Sequence, residues 1–137
     1  MSTMMTPAYN PMLPLAGRLL IATIFLVAGI RKVLGFAGTV GYFTKLGFPA
    51  AEVFAVIAIV IELGGAILLI AGWRTRWVAW LLVLFVVIAT AMAHRFWEFD
   101  AAQFNNQLNH FLKNVAIIGG LLFVAAFGPG RASVDKT

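Results

Sequence analysis

The chain contains no cysteine, and only 11% of its 137 residues are charged. The first absence removes disulfides, thiolate catalysis and cysteine-held metals, so any thiol chemistry this chain serves belongs to a partner. The second sets it far below the roughly 25% charged residues of an ordinary soluble domain. Acidic residues are the scarcest, five against ten Lys and Arg. No phosphate-binding glycine loop, nucleophile elbow or metalloprotease helix occurs. The first twelve residues carry no Lys or Arg, and no small-residue cleavage site follows a short apolar core. The first apolar run therefore reads as a retained span rather than a signal peptide.

Apolar sequence fills the space: 62% of residues are hydrophobic and the mean hydropathy is +0.96. A bilayer core about 30 Å thick takes about 20 apolar residues per helix, and four such runs are present. They lie at about 13–34, 50–71, 75–93 and 111–127, the last within a helix of about 101–127. Pro49 fits the first turn of the second and Gly72 its end. The expected fold class is an all-α membrane protein, a four-transmembrane-helix antiparallel bundle over 13–128 between tails at 1–12 and 129–137. The piece between the first two runs reads as a loop.

The net charge of +5 sits at helix ends, which suits orientation in a lipid bilayer and not nucleic acid. With Arg18, Lys32 and Lys113 set aside as embedded, a cytoplasmic N-terminus puts Arg74, Arg76, Arg131 and Lys136 inside against Arg31, Lys45 and Arg95 outside. Both termini are expected in the cytoplasm, with the arginines of "GWRTRW" beside aromatic anchors.

Ionisable residues within a span cost roughly 2.5–3.5 kcal/mol at a helix centre, so they face other helices and find partners. On the first helix Arg18, Ala22, Phe25, Gly29 and Lys32 share one stripe, with Arg31 on the far side. The Glu62 stripe reads Ala55, Ala58, Ile59, Glu62, Gly65, Ala66, Leu69. The third helix gives Trp80, Val83, Val87, Thr90 and His94, and the fourth Asn106, Asn109, His110, Lys113, Ala116, Ile117 and Gly120. Small residues in these stripes let backbones approach, with Gly29, Gly64, Gly65, Gly119 and Gly120 as packing positions. "IELGGAILLIAG" echoes "AIIGGLLFVAAFG", compatible with a two-hairpin repeat or with shared composition alone. By depth, Arg18 is the expected partner of Glu62, with Lys32 in that place if the first helix tilts. The pair serves packing, or else Glu62 handles protons or a ligand.

Lys32, His94, Asn109, His110 and Lys113 are expected to converge at one surface as a cluster for a ligand or partner. The spacing of His94 to His110 matches no metal-ligand pattern, and no metal is expected. Nothing marks a haem pocket. A quinone headgroup suits the segment better, with Lys32, His94 or Lys113 as donors and Phe96 and Trp97 as walls. The competing reading makes Phe96, Trp97 and Phe99 an interfacial belt and the amides caps of the fourth helix.

"GRLLIATIFLVAGIRKVLGF", "IELGGAILLIAGWRTRWVAWLL", "AHRFWEF", "FLKNVAIIGGLL" and "GPGRASVD", in this order, resemble the DoxX family of membrane proteins. The resemblance runs from Gly17 onward. It implies a four-helix protein of the bacterial inner membrane, with Arg18, Lys32, Glu62, His94 and Lys113 at matching polar positions. It also implies membrane redox work, as in a thiosulfate to quinone oxidoreductase or an assembly with superoxide dismutase and a sulfurtransferase. The first expectation is a membrane subunit or adaptor of such an assembly, binding a redox protein partner, a quinone or a small anion. The alternatives are a structural or membrane-assembly bundle and an oligomeric small-solute transporter, either of which would form homo-oligomers.

Overall fold

The computed structural model describes residues 9–135; the first eight residues of the N-terminal tail, and Lys136 from the orientation count, lie outside the described residues. "NPMLP" starts α1 (Met12–Leu34). Pro14 falls in the first turn, where a missing N–H is harmless, and Asn10 Oδ1 accepts from the Met12 N–H at 3.0 Å. After Gly35 the chain turns directly into α2 (Phe36–Lys45), a ten-residue helix where a loop was expected. Pro49 lies just before α3 (Ala51–Ala71) and not in its first turn, because Ala50 is the left-handed N-cap at φ 50°.

Gly72, at φ +69°, closes α3 by donating its N–H to Leu68 O, the left-handed ending that glycine adopts without steric cost. Three residues later α4 (Thr75–Ala93) begins. A single 3-10 turn at Phe96–Glu98 leads into α5 (Ala101–Phe127), capped by Asp100, whose side chain accepts from the Gln103 N–H. Pro129, following Gly128, prevents α5 from continuing.

Among the described residues, α1, α3, α4 and α5 are long and apolar enough to cross a membrane. They form two tightly packed pairs, α1 with α3 and α4 with α5, joined along α3 and α4; α1 and α5 touch sparingly, and α2 lies mainly on α3. Their outward faces carry Leu20, Val60, Leu84 and Phe123, exposed to where lipid chains lie. The core is built from Ala22, Phe25, Ala66, Leu69, Val78, Ala79, Leu82, Val86, Leu121 and Ala125.

The α1 stripe is buried as spaced, from Arg18 through Ala22 and Phe25 to Gly29. On α3 the stripe is buried except for Ile59, which is half-buried. On α4 the interior is Thr75, Val78, Ala79, Leu82, Val86 and Thr90, whereas the expected Trp80 and Val87 are exposed. An apolar helix shows no contrast by which its period selects a face, and the small residues go inward while the large indole goes to lipid. The α5 stripe also turns: Asn114, Leu121 and Ala125 are buried, and Asn106, Asn109, Lys113 and Ala116 are exposed.

Of the five packing glycines, three meet a neighbour. A Cβ on Gly29 would sit 2.6 Å from Leu63 Cδ2, one on Gly65 2.8 Å from Leu82 Cδ2, and one on Gly120 3.2 Å from Ile21 Cδ1. Gly64 and Gly119 have no such neighbour within 4 Å, because each points away from the helix that its companion touches.

Candidate functional site

Glu62 is the deepest acid in the bundle, 3% exposed near the middle of α3. Its partner is Lys32, with Nζ 2.8 Å from Oε1, and not the expected Arg18. The register decides this. Gly29 of α1 lies against Leu63 of α3, so Lys32, about one turn beyond, arrives beside Glu62. Arg18 lies at the other end of α1, level with the end of α3. It donates from Nη1 to Leu69 O at 2.8 Å and Ile70 O at 3.4 Å, and from Nη2 to Ala132 O. Its charge therefore meets the unsatisfied carbonyls and the negative dipole end of a helix.

A second polar assembly fixes the α3–α4 turn. Val134 N–H donates to Ala71 O and Asp135 N–H to Gly72 O, laying the C-terminal segment across the turn. The Asp135 carboxylate then accepts from Arg74 N–H, Thr75 N–H and the Thr75 hydroxyl, each at 2.9 Å. Arg74, the N-cap residue of α4, makes no side-chain cap of its own, so the capping oxygen comes from sixty residues away. The Thr75 backbone hydrogen bond is the main reason the Asp135 carboxyl is held below its ordinary value of 3.8.

The expected ligand cluster separates. His94 is half-buried; its Nδ1 is 2.8 Å from Gln107 Oε1, and its ring stacks on His110 at 4.9 Å between centroids. Asn109 and Lys113 lie on the exposed side of α5 and do not join Lys32, since the helix is rotated from the face first assigned. Asn114 is buried there instead, donating to Thr90 Oγ1 at 2.9 Å, while Thr90 donates to Val86 O.

Lys32, Glu62 and His94 share a cavity of about 350 Å³ between α2, α3 and α4. Its walls are not Phe96 and Trp97, which pack against each other and against Phe111. They are Tyr42, Phe43, Phe48 and Phe54 on one side and Phe85 and Met92 on the other. Phe43, Phe48 and Phe54 form a continuous run with centroids 5.3 and 4.9 Å apart. Ile57, Leu84 and Ile88 line the cavity and are also exposed on the flank of the bundle, so it opens sideways toward lipid. Tyr42, outside the spans, has its hydroxyl pushed up from the ordinary value of 10.0 by burial, which keeps it a donor at neutral pH.

Sequence reasoning missed this wall because it treated 36–45 as a loop. The signal was the aromatic spacing of Tyr42, Phe43, Phe48 and Phe54 around "LGFP". Among the described residues no group of three or more His, Asp or Glu is gathered for a metal ion. The arrangement offers a half-open apolar slot with a paired cation and anion in its lining and a histidine further along it, the general form of a site for a small lipid-soluble molecule.

The DoxX family model matches residues 13–95, which contain Arg18, Lys32, Glu62 and His94. The chain is 36% identical over 129 residues to the inner membrane protein YphA of Escherichia coli (strain K12), covering 94% of this chain and 92% of that protein. It is 34% identical over 122 residues to the inner membrane protein YqjF of the same organism, covering 89% and 88%. No solved structure matches the chain.

Proposed function

Since the chain belongs to the DoxX family, we propose that this inner-membrane protein is a binding subunit or adaptor of a redox assembly, its lateral cavity taking a quinone-class molecule. The observation that carries the reading is the Lys32–Glu62 pair set in the lining of an aromatic-walled cavity of about 350 Å³ that also includes His94. A quinone ring is flat and apolar with polar atoms at its edge. The aromatic run suits the ring, and Lys32 and Tyr42 supply donors at its edge. The opening between α3 and α4 lets an isoprenoid tail lie among lipid chains.

In this reading Lys32, itself held by Glu62, binds the polar edge, His94 is kept in orientation by Gln107, and the bundle keeps bulk water from the inner end. A bound quinone would supply two-electron, two-proton carriage, with electrons exchanged through a partner protein. Any thiol or sulfur chemistry would also lie in that partner, because this chain has no cysteine. Both termini are placed in the cytoplasm, supported by Arg74, Arg76 and Arg131 at the end of the bundle that carries the exposed Trp73 and Trp77.

The test is extraction of lipids from protein purified in native membrane discs, with quinone quantified by mass spectrometry. Near-stoichiometric quinone in the wild type, lost in Phe43→Ala with Phe48→Ala, is the expected result. Phospholipid alone in both would refute the assignment and leave the Lys32–Glu62 pair as a packing element.

A further inference from the structure

Glu62 has two carboxylate oxygens, and Lys32 takes one. Oε1 is 2.8 Å from Lys32 Nζ, whereas Oε2 is buried and has no hydrogen-bond partner among the described residues. A carboxylate in an ion pair only accepts hydrogen bonds, while an ammonium offers three donors, of which this one spends one on Glu62. The inner end of the cavity is therefore short of one donor and retains donors for one acceptor. A hydroxyl group satisfies both at once: its O–H donates to the carboxylate and its oxygen accepts from Lys32. A carbonyl satisfies only the lysine and leaves the acid unmatched. The terminal torsion of a glutamate is broad and two-fold, so either oxygen can take the lysine while the other turns to the cavity.

We infer that the site selects the hydroxyl-bearing, reduced form of its ligand, a quinol rather than a quinone, with Glu62 as the specificity-determining acceptor and Lys32 as its donor. This rests on the cavity being a quinone-class site.

Equilibrium binding to the full chain in phosphatidylcholine discs tests the inference with three probes that share one ring and tail: a short-tailed benzoquinol, its quinone, and the quinol dimethyl ether. Dithionite keeps the quinol reduced, and with no cysteine present it leaves the protein unaltered. The quinol should bind on the order of 10-fold or more tighter than either other probe, since an unpaired buried polar group costs about that factor. Glu62→Gln, whose amide both donates and accepts, should shrink the ratio to about 3-fold or less at unchanged helical content. The ether comparison uses wild-type protein alone, so the test stands even if that variant does not fold. Equal affinity for all three probes overturns the selectivity and leaves the cavity assignment intact. Failure of all three to bind overturns both.

Discussion

The two partners of the Lys32–Glu62 pair are unequally buried, and the difference can be measured. Glu62 is 3% exposed while its partner Lys32 is 27% exposed. In Lys32→Met the carboxylate is stranded in the interior, whereas in Glu62→Leu the lysine stem can carry its ammonium to the interface. Breaking a buried pair costs about 3–5 kcal/mol, and we expect Lys32→Met to reach that range and Glu62→Leu to fall short of it. Joining the two in one chain should recover most of the loss, as read from melting temperatures in detergent. The sequence showed that Arg18, Lys32 and Glu62 face inward, because 3.6-residue spacing places them on stripes. It did not show which cation meets the acid. That depends on how far one antiparallel helix slides along another, and the contact that sets it, Gly29 on Leu63, looks like any small residue beside any leucine.

The four spans were legible, because length and hydropathy alone decide them in a membrane, whereas the ten-residue α2 was too short to stand out and read as a loop. The turned faces of α4 and α5 were not, since an all-apolar surface carries no record of its neighbour. Close contact at one glycine and not at the next gives a sharp contrast. Gly65→Val should lower the melting temperature markedly by forcing Leu82 aside, an overpacking cost of roughly 1–3 kcal/mol, while Gly64→Val meets no neighbour and should be nearly neutral. The cap of α4 adds a pH dependence. Asp135 is held below its ordinary 3.8, first by the Thr75 backbone hydrogen bond. A depressed carboxylate contributes stability above its unfolded value and loses it as pH falls through the folded one. The wild type should therefore exceed Asp135→Ala at neutral pH by about 1 kcal/mol, the usual worth of a cap. The gap should close as pH drops below about 3.8, which thermal melts of both proteins across that range would show.

At the scale of the whole molecule, four spans return both ends of the bundle to one side, and the charged α3–α4 turn shares that side with the C-terminal segment. A single cysteine can be introduced without background, because the chain has none. Arg131→Cys, at an exposed position, should resist an impermeant thiol reagent in intact cells and react after permeabilisation. Arg95→Cys, at the opposite end, should react at once, and the reverse pattern would invert the proposed topology. The α1–α3 and α4–α5 pairs touch each other chiefly through α3 and α4, and the cavity opens beside that junction under α2.

The cap of α4 also carries a consequence for how the protein is made. A ribosome adds residues in order, and the hairpin of α3 and α4 is available to the insertion machinery long before Asp135 exists. The N–H groups of Arg74 and Thr75 must face water or headgroups during that interval, and Arg18 meets the last carbonyls of α3 before the Ala132 carbonyl exists to accept from it. The turn is finished last although it lies in the middle of the chain. Its protection from hydrogen exchange in stalled chains that end before and after residue 135 would record that delay directly.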